Sequence, residues 1–476
     1  MLITFENSIK SYYEGTKRIS ITKQLEEELF SLIGLSKEIL LTEDTAPESH
    51  IFTSLKKERV HTILERAVSK SSDQKSLNIL MLTWEFPPHV IGGLSRHVFG
   101  LAKAMSDMGH HIHVLTVQQE NTSEYEVLDD ISVHRVTPLT SGDSSFLDWT
   151  ACLNVAMADK IREICLEEAI DLIHAHDWLV AAAASTAVRH ENTGLAVTIH
   201  STEYGRNNGI YNELQKKIHR QEEQLIAAAD KVIVCSEYMK DELKTVFQCE
   251  DEDLVMLPNG ITEEEVLSLA DTDFSRYIAD RDFPIIYSWG RVVREKGFQT
   301  LIKAVALLKN KQNKVHLIIS GKGPYLPFLK NLAREKGVQD YVTFTGFIPD
   351  EERNAILRKS IAAVFPSDYE PFGIVALEAM AAAKPVIAAK TGGLKCIFKH
   401  MEEGYHFNPG NEVQLAEWIE FLLKNPEEAN KTAVQGRQAA LTLYNWGKIG
   451  KETEAVYRKI LMDRCLRKEG GKHENK

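Results

Sequence analysis

The chain has 476 residues, 43% of them hydrophobic and 26% charged, with a formal net charge of −12. This is a globular composition long enough for two domains, and its acidic balance argues against a large nucleic-acid footprint. No apolar run approaches the roughly 20 residues that a membrane-spanning helix needs, so only peripheral contact with a membrane stays open. Six cysteines stand without any Cys-x-x-Cys pair, and the N-terminus lacks the pattern of a signal peptide. Both point to reduced thiols in a cytoplasmic protein.

Residues 1–74 differ in texture from the rest. Amphipathic patches around Ile21–Ile33 and Val60–Val68 predict a small, mainly helical extension, joined through a linker at Ser71–Ser76. A docking or regulatory role is expected for it. Residues 75–270 then alternate strands and helices. Asn78–Thr83 reads as a buried strand, followed by a loop with Gly92-Gly93 and a helical stripe of Leu94, Val98, Leu101, Met105 and Met108 closed by Gly109. His111–Val117, Leu172–His174, Ala196–His200 and Val232–Cys235 continue the series.

A second set occupies residues 271–445, after a polar stretch at Asp271–Pro284. Its strands are expected at Ile285–Trp289, Val315–Ser320, Val342–Phe344, Ala362–Phe365 and Val386–Ala388. In residues 446–476, Trp446–Cys465 reads as a helix packing back on the first half, and Lys468–Lys476 as a solvated tail. The βαβ alternation predicts an α/β protein of two doubly wound, Rossmann-like domains facing a cleft, with ligands at the carboxyl ends of the strands.

Chemistry gathers at those strand ends. Gly92 and Gly93 would let a phosphate or sugar approach the backbone. In His174-Ala-His176-Asp177-Trp178 the two histidines lack a completing ligand set, so packing is expected for them, while Asp177 can orient a hydroxyl. His110, His111 and His113 read as ordinary strand-edge residues. His200 ends a strand and opens a polar loop running to Arg206 and Gly209. Gly290-Arg291 and Lys296-Gly297 place two cations that can converge on a diphosphate. Ser320-Gly321-Lys322-Gly323 lacks Walker spacing and suits close passage of a nucleotide base.

The most informative stretch is Phe365-Pro-Ser-Asp-Tyr-Glu370-Pro-Phe-Gly-Ile-Val-Ala-Leu-Glu378. Pro371 suits a first helical position, which would put Glu370 at the helix mouth and Glu378 two turns down. Helix N-termini favour anions, so two acids there are expected to meet sugar hydroxyls, beside a diphosphate held by other groups. Thr391, Gly392 and Gly393 offer backbone N–H groups near the same mouth.

Together these motifs resemble the family-4 retaining glycosyltransferases of the GT-B fold over about residues 77–460. The Glu370–Glu378 pair matches that family's E-x7-E signature, and Gly290-Arg291 with Lys296-Gly297 its diphosphate loop. Trp84-Glu-Phe-Pro-Pro with Gly92-Gly93, His176-Asp177-Trp178 and Thr198-Ile-His200 make the first half similar to glycogen- and starch-synthase-like members. The resemblance implies transfer of a hexosyl unit, glucosyl above others, from a UDP- or ADP-sugar to a glycan or small hydroxyl acceptor, with no metal or other cofactor. It implies catalytic roles for His200, Arg291, Lys296 and Glu370. Gly92, Gly93, Asp177, Gly290, Gly321, Phe372, Gly373, Ile374, Glu378, Thr391, Gly392 and Gly393 would then bind the donor. One position departs: Val90 stands where glycogen synthases carry a lysine. A nucleotide-sugar epimerase and a non-catalytic nucleotide-sugar or glycan binder remain open beside the transferase.

Overall fold

A computed structural model describes residues 76–90, 92–138, 145–191, 193–263, 273–277 and 283–471. The expected N-terminal extension lies outside them. The first half builds an eight-stranded sheet from β1 (Asn78–Leu82), β2 (His111–Val117), β3 (Tyr125–Leu128), β4 (Ile131–Val136), β5 (Leu172–His176), β6 (Gly194–Ile199), β7 (Lys231–Val234) and β8 (Leu254–Met256). Their order is β3-β4-β2-β1-β5-β6-β7-β8, parallel except for β3. β1 and β6 read as nearly unbroken apolar runs because helices cover both faces of a parallel sheet.

The second half holds β9 (Ile285–Trp289), β10 (His316–Ser320), β11 (Val342–Gly346), β12 (Ala362–Phe365), β13 (Val386–Ala389) and β14 (Tyr405–Phe407). They form an all-parallel sheet in the order β11-β10-β9-β12-β13-β14. In each sheet the strand order reverses direction once, between β1 and β5 and between β9 and β12. Such switch points open a crevice at the carboxyl ends of the strands. The residues singled out around Gly92, Asp177, Gly290 and Glu370 follow those four strands.

Three expectations need correction. The helix after Glu370 spans Ile374–Ala381 with Gly373 as its N-cap, so Pro371 lies in the loop rather than in the first turn. Gly373 has φ +109°, a conformation other residues rarely adopt, and a side chain there would press on Leu394. The break at Gly373 delays the helix and leaves Glu370 deeper in the loop. His110 and His113 are buried rather than at an edge, because β2 lies inside the sheet. His113 meets Glu168 and His134, and only His111 is exposed. The C-terminal helix runs on through Lys468 to Gly471.

That helix begins where the chain returns from the second half. Trp446, Ile449, Val456, Tyr457 and Ile460 share an apolar cluster with Ile79, Met81, Leu101 and Met105 of the first half. Trp446 fits against Gly100 and Gly260, where any Cβ would collide with its ring. Among the described residues, no helix is long and apolar enough to cross a membrane. Trp446→Ala should cost about 3–5 kcal/mol of stability by leaving this slot empty, measured by urea unfolding. A loss below about 1 kcal/mol would show that the helix is not anchored there.

Candidate active site

The strand ends of both sheets line one cavity of about 750 Å³. Gly92, Gly93, Asp177 and His200 line it from the first half. Gly290, Arg291, Lys296, Gly321, Glu370, Phe372, Gly373, Ile374 and Glu378 line it from the second. Thr391, Gly392 and Gly393 do not. They stand behind the Glu370 loop, where the Gly393 N–H donates to the Glu370 carbonyl at 2.8 Å and Thr391 Oγ1 donates to the Asp368 carbonyl at 3.0 Å. Gly392 has φ +48°, and a side chain on it would collide with the Glu370 carbonyl. These residues fix the loop that carries Glu370.

At the heart of the second half, Lys296 Nζ donates to Glu370 Oε2 at 2.5 Å, and Ser367 Oγ donates to the same oxygen at 3.3 Å. The two motifs thus meet in an ion pair. Arg291 is exposed to the cavity and forms no ion pair among the described residues. Two helices of fifteen and eight residues start at this cavity, at Gly93 and Ile374, and neither has a side-chain hydrogen bond at its N-cap. Their first N–H groups and positive dipole ends suit an anion. Glu85 Oε1 accepts from the Ser95 N–H at 3.0 Å in the first of them.

Glu378 is buried. Its Oε2 accepts from Trp289 Nε1 at 3.1 Å, and its Oε1 lies 3.5 Å from Arg96 and 3.8 Å from Arg353. Arg96, Arg353 and Asp350 also line the cavity, and no sequence motif marks them. Arg96 stands among several polar residues of a helix marked mainly by its apolar stripe, and the other two lie in a charged helix with no recognisable spacing.

In the first half, Asp177 sits at φ +61°, a region costly for any residue with a side chain. That turn aims its carboxylate at the His200 N–H, 2.7 Å away. Burial pushes the Asp177 pKa up to about 6, against the opposing pull of Arg206. Four imidazoles cluster behind it. His174 Nδ1 lies 2.6 Å from the Tyr457 hydroxyl and its Nε2 2.7 Å from Thr198 Oγ1, the packing role expected of it. His176 Nδ1 lies 3.2 Å from His200 Nε2. His97, Arg96's neighbour, holds Asn259 at 2.6 Å. His97, His176 and His200 each offer a ring nitrogen within 4.8 Å of the others, so these three residues could hold a metal ion. Linear spacing missed this set because His97 lies on a distant helix.

Burial lowers the pKa of His97, His174 and His176 well below the usual imidazole value, and that of His200 to about 3. The folded chain keeps these rings neutral at pH values where the unfolded chain protonates them. The unfolded state then binds more protons, and stability falls as pH drops below about 6.5. Asp177, and Glu222 with its pKa raised by burial to about 8, oppose this by taking up protons in the folded state. Between about pH 6.5 and about pH 5.5 four rings held neutral weigh against two acids that take up protons, so the histidines set the sign. Urea midpoints should therefore fall on acidification across this window, less steeply in His174→Gln. A flat or rising profile would contradict neutral burial of the cluster.

With this geometry in place, comparison with known proteins is direct. Residues 91–265 match the family described as Glycosyltransferase Family 4, and residues 270–439 that described as Glycosyl transferases group 1. An uncharacterised glycosyltransferase of Methanocaldococcus jannaschii is 33% identical, across 81% of this chain and 99% of that protein. A glycogen synthase of Mycobacterium tuberculosis is 31% identical, across 80% and 94%. Among solved structures, a sucrose-phosphate synthase from Thermosynechococcus elongatus superposes with a TM-score of 0.71 at 24% identity, covering 81% of this chain and all of that one. The catalytic domain of starch synthase IV from Arabidopsis thaliana does so with a TM-score of 0.66 at 15% identity, covering 82% and 100%. At those identities the structures show the fold alone. The chain belongs to the family-4 glycosyltransferases of the GT-B fold, related to a glycogen synthase, and transfers a hexosyl unit from a nucleoside-diphosphate sugar to a glycan or other hydroxyl acceptor.

Proposed function

We propose that this transfer is retaining and independent of metal, with glucose as the sugar and a growing glucan as the acceptor. The kinship with a glycogen synthase supports the sugar and acceptor. The observation that carries the mechanism is the Lys296–Glu370 ion pair in a cavity at which two helices begin. An ammonium has three donors, so one can hold Glu370 while the others reach a diphosphate. Arg291 adds a second cation from the same loop. Glu370, fixed by Lys296 and Ser367, takes hydroxyls of the sugar being moved, and Glu378 takes those of the ribose. Gly92 and Gly93 admit the donor to the backbone, Gly290 and Gly321 pass beside the nucleotide, and Phe372, Gly373 and Ile374 shape the wall under the sugar. Thr391, Gly392 and Gly393 hold the Glu370 loop in place.

As the bond between the anomeric carbon and the diphosphate oxygen breaks, negative charge grows on the leaving group. Arg291, Lys296 and the helix N-termini stand ready where it develops, and fixed charge there lowers the barrier. The acceptor oxygen bonds to the anomeric carbon on the same face, and its proton passes to the departing diphosphate. His200 is neutral, so it offers the sugar a hydrogen bond rather than a charge. Asp177 fixes the His200 backbone and places that ring. Val90 leaves the first half without the lysine of glycogen synthases, so the diphosphate relies on Arg291 and Lys296 of the second half. All six cysteines are free, which fits the reducing cytoplasm as the compartment.

A screen of UDP- and ADP-sugars with a glucan acceptor, reading released nucleoside diphosphate and added mass on the glycan, tests the substrate reading. ADP- or UDP-glucose should turn over fastest; turnover confined to another sugar would contradict it. Lys296→Ala should lower kcat by roughly 10²–10³ with a smaller change in KM. A near-normal kcat would remove Lys296 from the chemistry. EDTA should leave the rate unchanged, and loss of activity restored by a divalent cation would overturn metal independence.

A further inference from the structure

The charged network around Glu378 crosses the cleft. Arg96 projects from the Gly93–Asp107 helix of the first half, and its Nη2 donates to both carboxylate oxygens of Asp350 at 2.8 and 3.0 Å. Its Nη1 lies 3.5 Å from Glu378 Oε1. Arg353 closes the ring from the second half, 2.9 Å from Asp350 and 3.8 Å from Glu378. Two arginines and two carboxylates thus balance in charge, and of the four only Arg96 comes from the first half. Its hold on the two acids is unequal. Asp350 receives two short charge-assisted bonds, whereas the Glu378 contact is too long for a good hydrogen bond.

We propose that Arg96 is a positioning residue for the transfer, clasping the two halves over the nucleoside of the donor. It keeps Asp350 throughout, while Glu378 exchanges the loose Arg96 contact for ribose hydroxyls. Trp289 and Arg353 keep Glu378 oriented through that exchange, so its carboxylate stays satisfied with or without donor. The clasp lies beside the Gly93–Ile374 approach, where a Cβ on Gly93 would come within 2.9 Å of the Ile374 side chain. Closing there draws the helix N-terminus at Gly93 toward the Glu370 loop. It also shuts the cavity against water, which would otherwise compete with the acceptor for the anomeric carbon. The proposal rests on the assignment of Glu378 to the ribose.

A double-mutant cycle on the full chain tests it, with UDP- or ADP-glucose as the probe, whichever turns over. Arg96→Ala and Asp350→Ala should each raise donor KM about tenfold, in line with a partly solvated charge-assisted contact, and change kcat less. Each should also raise the fraction of donor hydrolysed rather than transferred, a readout that loss of stability alone would not move. The double variant should be no worse than either single one, and Arg96→Asp with Asp350→Arg should recover part of the affinity. Should an alanine variant fold poorly, Asp350→Asn and Arg96→Gln complete the same cycle. Effects that multiply, or a hydrolysis fraction that stays at the native level, would overturn the clasp. Glu378→Gln separates the two layers. If Arg96 and Asp350 couple but Glu378→Gln leaves donor KM unchanged, the clasp stands and the ribose assignment fails. If Glu378→Gln raises donor KM while the other two act independently, the clasp alone fails.

Discussion

The contact between Lys296 and Glu370 constrains everything else in the cleft. A carboxylate buried near a helix N-terminus is costly unless a cation or several donors meet it. Here the loop after β9 brings the cation and the loop after β12 brings the acid. Those strands are neighbours because the sheet order reverses between them, so the fold itself delivers both groups to one point. The backing residues follow from the same need. Gly392 and Gly393 pack against the backbone of Glu370 and Pro371 with no room for side chains, and Gly373 delays the helix so that Glu370 stays in the loop.

Much of this was legible in the linear chain, and the parts that were not have identifiable causes. The buried parallel strands stood out as apolar runs, and β2, β9 and β12 fall where their sequences place them. β3 escaped because it is an exposed edge strand with no apolar run, and β4 because its alternating pattern sits in a short, polar neighbourhood. β8 and β14 are three residues each, below what periodicity can resolve. In the site, the spacing of Glu370 and Glu378 and the Arg291–Lys296 loop named their own positions. Arg96, Arg353 and Asp350 gave no such signal, because their role comes from two distant helices meeting across a cleft. A proline fits a first helical turn as well as the loop before it, and Gly373 decides between them only through its conformation.

The two halves supply different chemistry. The second half carries the ionic groups, Arg291, Lys296, Glu370 and Glu378. The first adds an imidazole cluster kept uncharged by burial, a carboxyl whose pKa burial raises and a helix N-terminus at Gly93, with Arg96 and Arg206 as its cations on the cavity wall. Val90 is an uncharged residue on the same wall. Ser236 Oγ donating to the Pro371 carbonyl at 2.6 Å, and the Tyr369 hydroxyl 3.2 Å from Glu242, tie the Glu370 loop directly to the first half. The loop that carries Glu370 is therefore positioned by both.

The central claim is that Lys296 and Glu370 divide the donor between them. The most direct measurement is a crystal structure of the chain with an intact nucleoside-diphosphate sugar. That structure should show the diphosphate oxygens on Lys296 and Arg291, the sugar hydroxyls on Glu370 and the ribose on Glu378. A diphosphate held away from Lys296, with Glu370 touching no part of the sugar, would contradict it.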